Sequence, residues 1–202
     1  EQMWDQFPRY MLWQRRERVR QSIAEHRQIA AAFARRDAAG VARAVERHIL
    51  NGLVAFDAIL AKLDYVVASV HNAMTGDEDE MTRRVIRAME NEYVTMLGHA
   101  TGRLLLQREP YKINLEKIID CAARTGTWIE LNCSSHRMEL DWRWWHRARD
   151  KGVKCVINPD AHRISQFGML RHGVTIARKG WLRREDVVNT MPLEAMQREL
   201  AR

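Results

Sequence analysis

Four residues of the kinds that bind metal ions stand directly after short apolar runs of the sequence. Asp160 and His162 lie two positions apart at the end of one run, and His71 and His99 follow two others. Residues i and i+2 of an extended chain point to the same side, so Asp160 and His162 can reach one ion. Imidazole and carboxylate are common ligands of divalent metal ions. A structural role is the default for each residue alone, but their shared position favours a metal site.

The apolar runs that precede these residues are typical of strands buried on both faces of a parallel sheet. Alternation of such runs with helical segments predicts an α/β fold with parallel strands and right-handed crossovers. Because α/β folds place their ligands at the carboxyl ends of the strands, the four residues are expected at one shared site. We predict strands at 65–70, 93–97, 128–131 and 153–157.

The segments around these strands carry apolar residues at helical spacing. Asn114 is expected to cap one helix and Gly126 to end it. We predict helices at 78–90, 114–123, 141–151, 166–179, 184–189 and 193–200.

The first 59 residues have no strand signal and are predicted to be helical. Ser22 is expected to cap a helix, with Glu25 completing a capping box, and Asp37 is expected to cap the next helix. A short connection favours an antiparallel hairpin, which would bring His26 and His48 onto adjacent apolar faces. Each histidine is by default a satisfied core residue, and a second metal site is the alternative. An earlier helix is predicted from the spacing of Trp4, Phe7, Met11 and Leu12.

The composition is that of a soluble globular protein of 202 residues, with 46% hydrophobic and 29% charged residues. No apolar run approaches the roughly 20 residues that span a bilayer. No signal pattern opens the chain either, so we expect a cytoplasmic protein without a membrane partner. Cys121, Cys133 and Cys155 are odd in number and lack metal-ligand spacing, which favours buried free thiols.

A net charge of +7 allows a polyanionic partner, although a solvated basic surface is an equal alternative because the excess is spread along the chain. The cluster of Trp142, Trp144 and Trp145 stands among basic residues. Stacking on a nucleic-acid base is one interpretation. Packing of this helix against the exterior of the α/β part of the chain, or against the N-terminal helices, is the favoured one.

The sequence motifs around the four candidate ligands are more specific to one protein family than the spacing of the ligands is. They resemble the PHP (polymerase and histidinol phosphatase) family, and within it the PHP domain at the carboxyl end of bacterial family X DNA polymerases. The similarity extends over residues 60–202. It is carried by residues 68–71 (A-S-V-H), 97–105 (L-G-H-A-T-G-R-L-L), 108–111 (R-E-P-Y), 130–132 (E-L-N) and 157–162 (I-N-P-D-A-H).

This resemblance implies part of a distorted (β/α)7 barrel and a phosphoesterase that uses Mn²⁺ or Zn²⁺. His71, His99, Asp160 and His162 would be the metal ligands, with Asp160 and His162 as catalytic residues. The polymerase-linked members imply 3′-5′ exonuclease or 3′-end processing of DNA, in DNA repair. Arg103 would contact a phosphate, or alternatively order its own loop.

The sequence also departs from the family. The opening strands of the barrel, which carry an H-x-H motif, a further His and a Glu, have no counterpart before residue 63. About half of the metal ligands are therefore unmatched. A natural fusion, a fragment and an engineered chimera would each explain the arrangement, and a homodimer or a complementing chain would supply the missing part.

Residues 1–59 resemble a different family. Residues 25–29 (E-H-R-Q-I), 36–38 (R-D-A) and 46–49 (E-R-H-I) are similar to the last two helices of the FadR-type ligand-binding domain of GntR-family transcriptional regulators. The resemblance implies an effector-binding segment in which His26 and His48 hold a divalent metal with a carboxylate ligand. Regulation is thus the alternative to hydrolysis, and an inactive chimera or fragment is a further one.

Overall fold

The structure is a computed structural model that describes residues 16–201. The chain divides into two compact units, Glu1–Leu63 and Asp64–Arg202. The change of sequence period near residue 60 falls beside this division. The helix predicted around Trp4, Phe7, Met11 and Leu12 lies outside the described residues.

Two helices, α1 (Arg16–Ala34) and α2 (Ala38–Leu60), pack against each other in the first unit. They run antiparallel, because Glu25 of α1 contacts His48 while the start of α1 lies beside Gly52. Asp37 caps α2 as predicted, and its Oδ1 accepts the Gly40 N–H at 2.8 Å.

Two sequence predictions for α1 were wrong. Ser22 does not start the helix, since the Arg and Glu residues before it are good helix formers and are already helical. The spacing of Ile23, His26, Ala30 and Phe33 also predicts an apolar face here, but Ile23 and Phe33 are exposed, whereas Glu25 and Ala32 are buried. The hydrophobic pattern failed here because the contact between the helices is built from a carboxylate and small alanines.

The second unit contains the predicted α/β arrangement. Its four strands form one parallel sheet in the order β1-β2-β3-β4. The strands are β1 (Val67–Ala68), β2 (Met96–Leu97), β3 (Trp128–Asn132) and β4 (Cys155–Asn158). β1 and β2 are shorter than predicted. The sheet confirms parallel strands, and the partial (β/α)7 barrel stays a prediction.

Helices follow or separate these strands. They are α3 (Glu78–Met89), α4 (Leu115–Thr125), α5 (Trp142–Asp150), α6 (Leu170–Lys179) and α7 (Leu193–Leu200). Asn114 caps α4, and Gly126 ends it with a φ of 76°. A 3-10 helix, Ile164–Met169, replaces the expected start of α6. The segment predicted as helix 184–189 is instead two 3-10 turns, because Val187 between them is extended and forms a parallel bridge with Cys155.

The core of this unit lies around β3, whose five residues are all buried. Trp145 is fully buried, and its Nε1 donates to the Leu140 carbonyl at 3.2 Å. Trp144 packs on the same core, so packing is confirmed for these two indoles. The three cysteines are buried free thiols, as predicted.

The two borders of the sheet differ. On the β4 side, Asn189 Oδ1 accepts the Ile157 N–H at 2.7 Å and its Nδ2 donates to the Ile157 carbonyl at 3.0 Å. On the β1 side, no strand within residues 16–201 pairs with the outer edge, and Val67 is 42% exposed. None of the helices in the described part of the chain is long and apolar enough to cross a membrane.

Candidate active site

The carboxyl ends of β1 and β2 bring two of the predicted ligands together. His71 Nε2 lies 2.9 Å from His99 Nε2, and the two rings stack with centroids 4.9 Å apart. Gly98 permits this approach, because a Cβ there would lie 2.9 Å from a Val67 methyl group. The predicted convergence of these two histidines is therefore present.

Both His99 and Asp160 have an unusual backbone. Their φ angles are 27° and 51°, in the left-handed region that side chains rarely adopt. Such conformations cost about 1–3 kcal/mol each and tend to occur at functional sites. They must be held in place by contacts from neighbouring residues.

A buried carboxylate on β3 provides one such contact. Glu130 accepts the His99 N–H at 2.5 Å and the Asn158 Nδ2 at 2.5 Å, and Asn132 Nδ2 lies 3.1 Å from the same carboxylate. Burial raises the pKa of Glu130 to about 7 against the opposing effect of these hydrogen bonds. Glu130 therefore connects the ends of β2, β3 and β4.

Asp160 is oriented by two neighbours. Its Oδ2 lies 3.2 Å from Asn132 Nδ2 and 3.3 Å from Arg137 Nε. Arg137 also lies 3.7 Å from the fully buried Glu139, which accepts the Thr101 N–H at 2.7 Å. Asp160, Arg137 and Glu139 therefore form a chain of alternating acidic and basic side chains.

The surroundings of His99 and His162 affect how each of them could bind a metal ion. Burial, with a further contribution from Arg137, lowers the pKa of His99 to about 4, although Asp160 opposes the change. His99 is therefore neutral at neutral pH, as a metal ligand must be. His162 Nδ1 lies 2.8 Å from the Asp160 carbonyl oxygen. Because a carbonyl only accepts, Nδ1 is the donor in this contact, and Nε2 is the nitrogen that would face a metal ion.

The donors fit a divalent cation in part. Two imidazole nitrogens on one tetrahedral zinc ion, each at about 2.0–2.1 Å from it, lie about 3.3 Å apart, somewhat more than the 2.9 Å between His71 Nε2 and His99 Nε2. His99 Nδ1 is buried without a hydrogen-bond partner. Within residues 16–201, however, no group of three or more His, Cys, Asp and Glu side chains is arranged to hold an ion. The pair fits, and the full set of four ligands stays a prediction.

Arg103 has structural contacts in this region. Its Nε donates to the Arg137 carbonyl at 2.8 Å, its Nη2 donates to the Met138 carbonyl, and its Nη1 lies 3.6 Å from Asp141. The guanidinium therefore orders the loop that carries Arg137, and its contact with a phosphate stays a prediction.

Sequence reasoning did not assign roles to Glu130, Arg137 or Glu139. The signal for Glu130 was its place inside the apolar run W-I-E-L-N, where a carboxylate is rarely buried without partners. No comparable local signal marked Arg137 or Glu139.

The histidine pair of the first unit is also brought together. The rings of His26 and His48 lie 4.5 Å apart between centroids. Glu25 accepts from His48 Nδ1 at 2.6 Å, from Asn51 at 2.9 Å and from Arg18 at 3.1 Å. Burial acts to raise the pKa of Glu25, but these hydrogen bonds outweigh it and lower the pKa to about 2.

Acidification is expected to weaken this hairpin. Because the pKa of Glu25 is lower in the folded state than its ordinary value of 4.5, its stabilisation is complete above pH 4.5 and is lost as the pH falls toward about 2. The loss is about 3 kcal/mol at most. Hydrogen exchange of α1 and α2 amides through this range should show it. Glu25→Gln should remove most of this dependence, whereas Glu46→Gln on the exposed face of α2 should keep it.

Comparison with known proteins connects both units to families. The FCD domain family matches residues 1–51, which fits the GntR-like segment. The DNA polymerase/3'-5' exonuclease PolX of Bacillus subtilis (strain 168) is 35% identical over 164 residues, which cover 80% of this chain and 29% of that protein. A probable phosphatase of Thermoanaerobacter sp. (strain X514) is 29% identical over 143 residues, covering 66% of this chain and 56% of that protein.

These relatives support a PHP-type domain. A probable phosphatase of Caldanaerobacter subterraneus is also similar, at 28% identity over 141 residues, with 65% of this chain and 53% of that protein covered. The chain thus spans less than two thirds of the length of each of these relatives. The second unit has the parallel sheet that the sequence predicts, and the relatives support hydrolase activity of a phosphoesterase kind.

Proposed function

We propose that the chain is a phosphoesterase that depends on divalent metal ions, Mn²⁺ or Zn²⁺, held by His71, His99, Asp160 and His162. The observation that carries the proposal is the contact of His71 and His99 at the ends of adjacent parallel strands, at 2.9 Å between their Nε2 atoms. PolX and the probable phosphatases support the same reaction class.

The residues of the chain would act mainly through position and charge. His99 is neutral at working pH and offers a nitrogen lone pair, and Asp160 offers a carboxylate oriented by Asn132 and Arg137. Metal ions, when bound, would neutralise phosphoryl oxygens and activate water for in-line displacement. Asp160 and His162, two residues apart, would be the catalytic pair.

The substrate class has two candidates. The name of the Bacillus subtilis relative points to DNA 3′ ends and a 3′-5′ exonuclease reaction, whereas the names of the other relatives point to a phosphatase. We propose the exonuclease reaction, since that relative has the higher identity over more of this chain. An exonuclease would hydrolyse a DNA duplex with a labelled 3′ end faster than p-nitrophenyl phosphate. A phosphatase would show the opposite preference.

A metal-depleted sample tests the proposal. Hydrolysis of bis(p-nitrophenyl) phosphate is expected to appear when Mn²⁺ or Zn²⁺ is added, to disappear with a chelator, and to fall in His162→Ala. Calorimetry on the same samples measures metal binding separately from turnover. Absence of bound metal, or a rate unchanged by His162→Ala, would reject it.

A second candidate is an effector-binding role for the first unit. It is favoured by the approach of His26 and His48 and by the FCD match. Calorimetry with Zn²⁺ and citrate would compare the chain with the double variant His26→Ala/His48→Ala. Equal isotherms would reject this role.

A further inference from the structure

Trp181 is unfavourable for folding in two respects. Its side chain is 71% exposed, and its φ of 62° lies in the left-handed region. An exposed indole contributes little burial, and the backbone strain costs about 1–3 kcal/mol. Residues that break local rules in this way are expected where a function compensates.

A second exposed indole lies nearby. Trp142, at the start of α5, is 39% exposed, and the Lys179 ammonium lies 4.6 Å from the centroid of its ring. Arg149 Nη1 donates to the Trp181 carbonyl at 2.9 Å, which ties α5 to the turn after α6. A Cβ at Gly180 would lie 2.7 Å from the Cβ of Trp145, so the close packing of this turn requires glycine.

The charge around these indoles is positive and little neutralised. Residues 178–184 contain four exposed cations and no acidic residue. Arg183 of this group lies 4.0 Å from Glu185, which is long for an ion pair. By contrast, Arg143, Arg147 and Arg149 of α5 each pair with a carboxylate at 3.2 Å or less.

We infer that Trp142, Lys179, Trp181 and Arg183, here termed the Trp181 surface, bind a single-stranded nucleic acid. Aromatic faces stack on bases of any sequence, and neighbouring cations contact the phosphates. The net charge of +7 favours the same partner.

An anionic membrane surface is the competing partner for exposed tryptophans and cations. It would require a broad apolar face to enter the lipid. Here Lys179 lies over one of the two indoles, so the aromatic area is divided by charge rather than continuous. The inference does not depend on the phosphoesterase proposal, because no residue of the Trp181 surface belongs to the candidate active site.

Fluorescence anisotropy with a labelled oligothymidylate of about 12 nucleotides tests the inference on the full chain. Trp181→Ala is expected to raise the Kd about tenfold. Trp181→Asn should do the same while folding at least as well as the parent, because Asn tolerates the left-handed backbone. Lys179→Ala/Arg183→Ala is expected to weaken binding and to reduce its salt dependence between about 50 and 200 mM.

The matched control is Lys117→Ala/Arg124→Ala, which removes two exposed charges from α4, where they pair with Asp79 and Glu90. It should bind as the parent does. Equal binding by Trp181→Asn, or an equal loss in the control, would overturn the inference. So would binding to phosphatidylserine vesicles without binding to the oligonucleotide. Hydrolysis of small phosphoesters, if present, should be unchanged in the Trp181 variants.

Discussion

Replacing His99 by alanine is expected to lower kcat/KM for metal-dependent phosphoester hydrolysis by at least about 100-fold. His99 is buried, neutral and in contact with His71. Its removal would therefore take away the Nε2 atom that contacts the neighbouring predicted ligand, His71. Metal affinity, measured by calorimetry, should fall with the rate. The prediction depends on the proposed phosphoesterase function.

Two companion variants separate chemistry from folding. Asp160→Asn keeps the size of the side chain while removing its charge, and should lose hydrolysis with little change in unfolding temperature. His146→Ala removes an exposed imidazole from α5 and should behave as the parent. A folded His99→Ala variant that retains the parental rate would show that the reaction does not use this site.

Replacing Glu130 by leucine is expected to destabilise the second unit by about 3 kcal/mol. The substitution removes an acceptor from three donors, the His99 N–H and the side-chain amides of Asn132 and Asn158. Each buried donor left without a partner costs about 1–3 kcal/mol, and the added apolar volume offsets only part of this. Urea unfolding at pH 6, below the Glu130 pKa of about 7, measures the change without the cost of burying the ionised carboxylate.

The comparison variants are Glu130→Gln and Glu116→Leu. Glu130→Gln keeps one acceptor oxygen and should cost about 1 kcal/mol, because its new amide faces donors rather than acceptors. Glu116→Leu removes an exposed carboxylate that pairs with Arg147 and should change stability by no more than about 0.5 kcal/mol. Similar midpoints for Glu130→Leu and the parent would contradict the bridging role of this carboxylate.

The sequence predicted the sheet because parallel strands buried on both faces have a strong local signature. It predicted the approach of His71 and His99 for a related reason, since residues that follow adjacent parallel strands lie at one edge. Strand lengths were less predictable, because the pairing of β1 and β2 covers only two residues of each run. Asp37 was correct as a helix cap because capping is a local interaction.

The buried acidic residues could not be predicted from the periodicity of the sequence. Glu25, Glu130 and Glu139 are stable in the interior only because donors from distant parts of the chain satisfy them, as His48 does for Glu25. Periodicity places such residues on the solvent side, which is why the exposed face of α1 was assigned to the wrong residues. Arg137 was missed for the same reason, since its partner Asp160 follows a different strand.

The unequal borders of the sheet restrict how it can be extended. The Asn189 side chain hydrogen-bonds to the N–H and the carbonyl of Ile157, as a neighbouring strand would. These two backbone groups of β4 are therefore not available to pair with a further strand. Within the part of the chain described, β1 keeps its outer peptide groups unpaired by any strand, and His71 follows β1 directly. A further strand, from this chain or another, would therefore pair with β1, on the side of the sheet where His71 lies. Such a strand would extend the sheet and cover His71 at the same time.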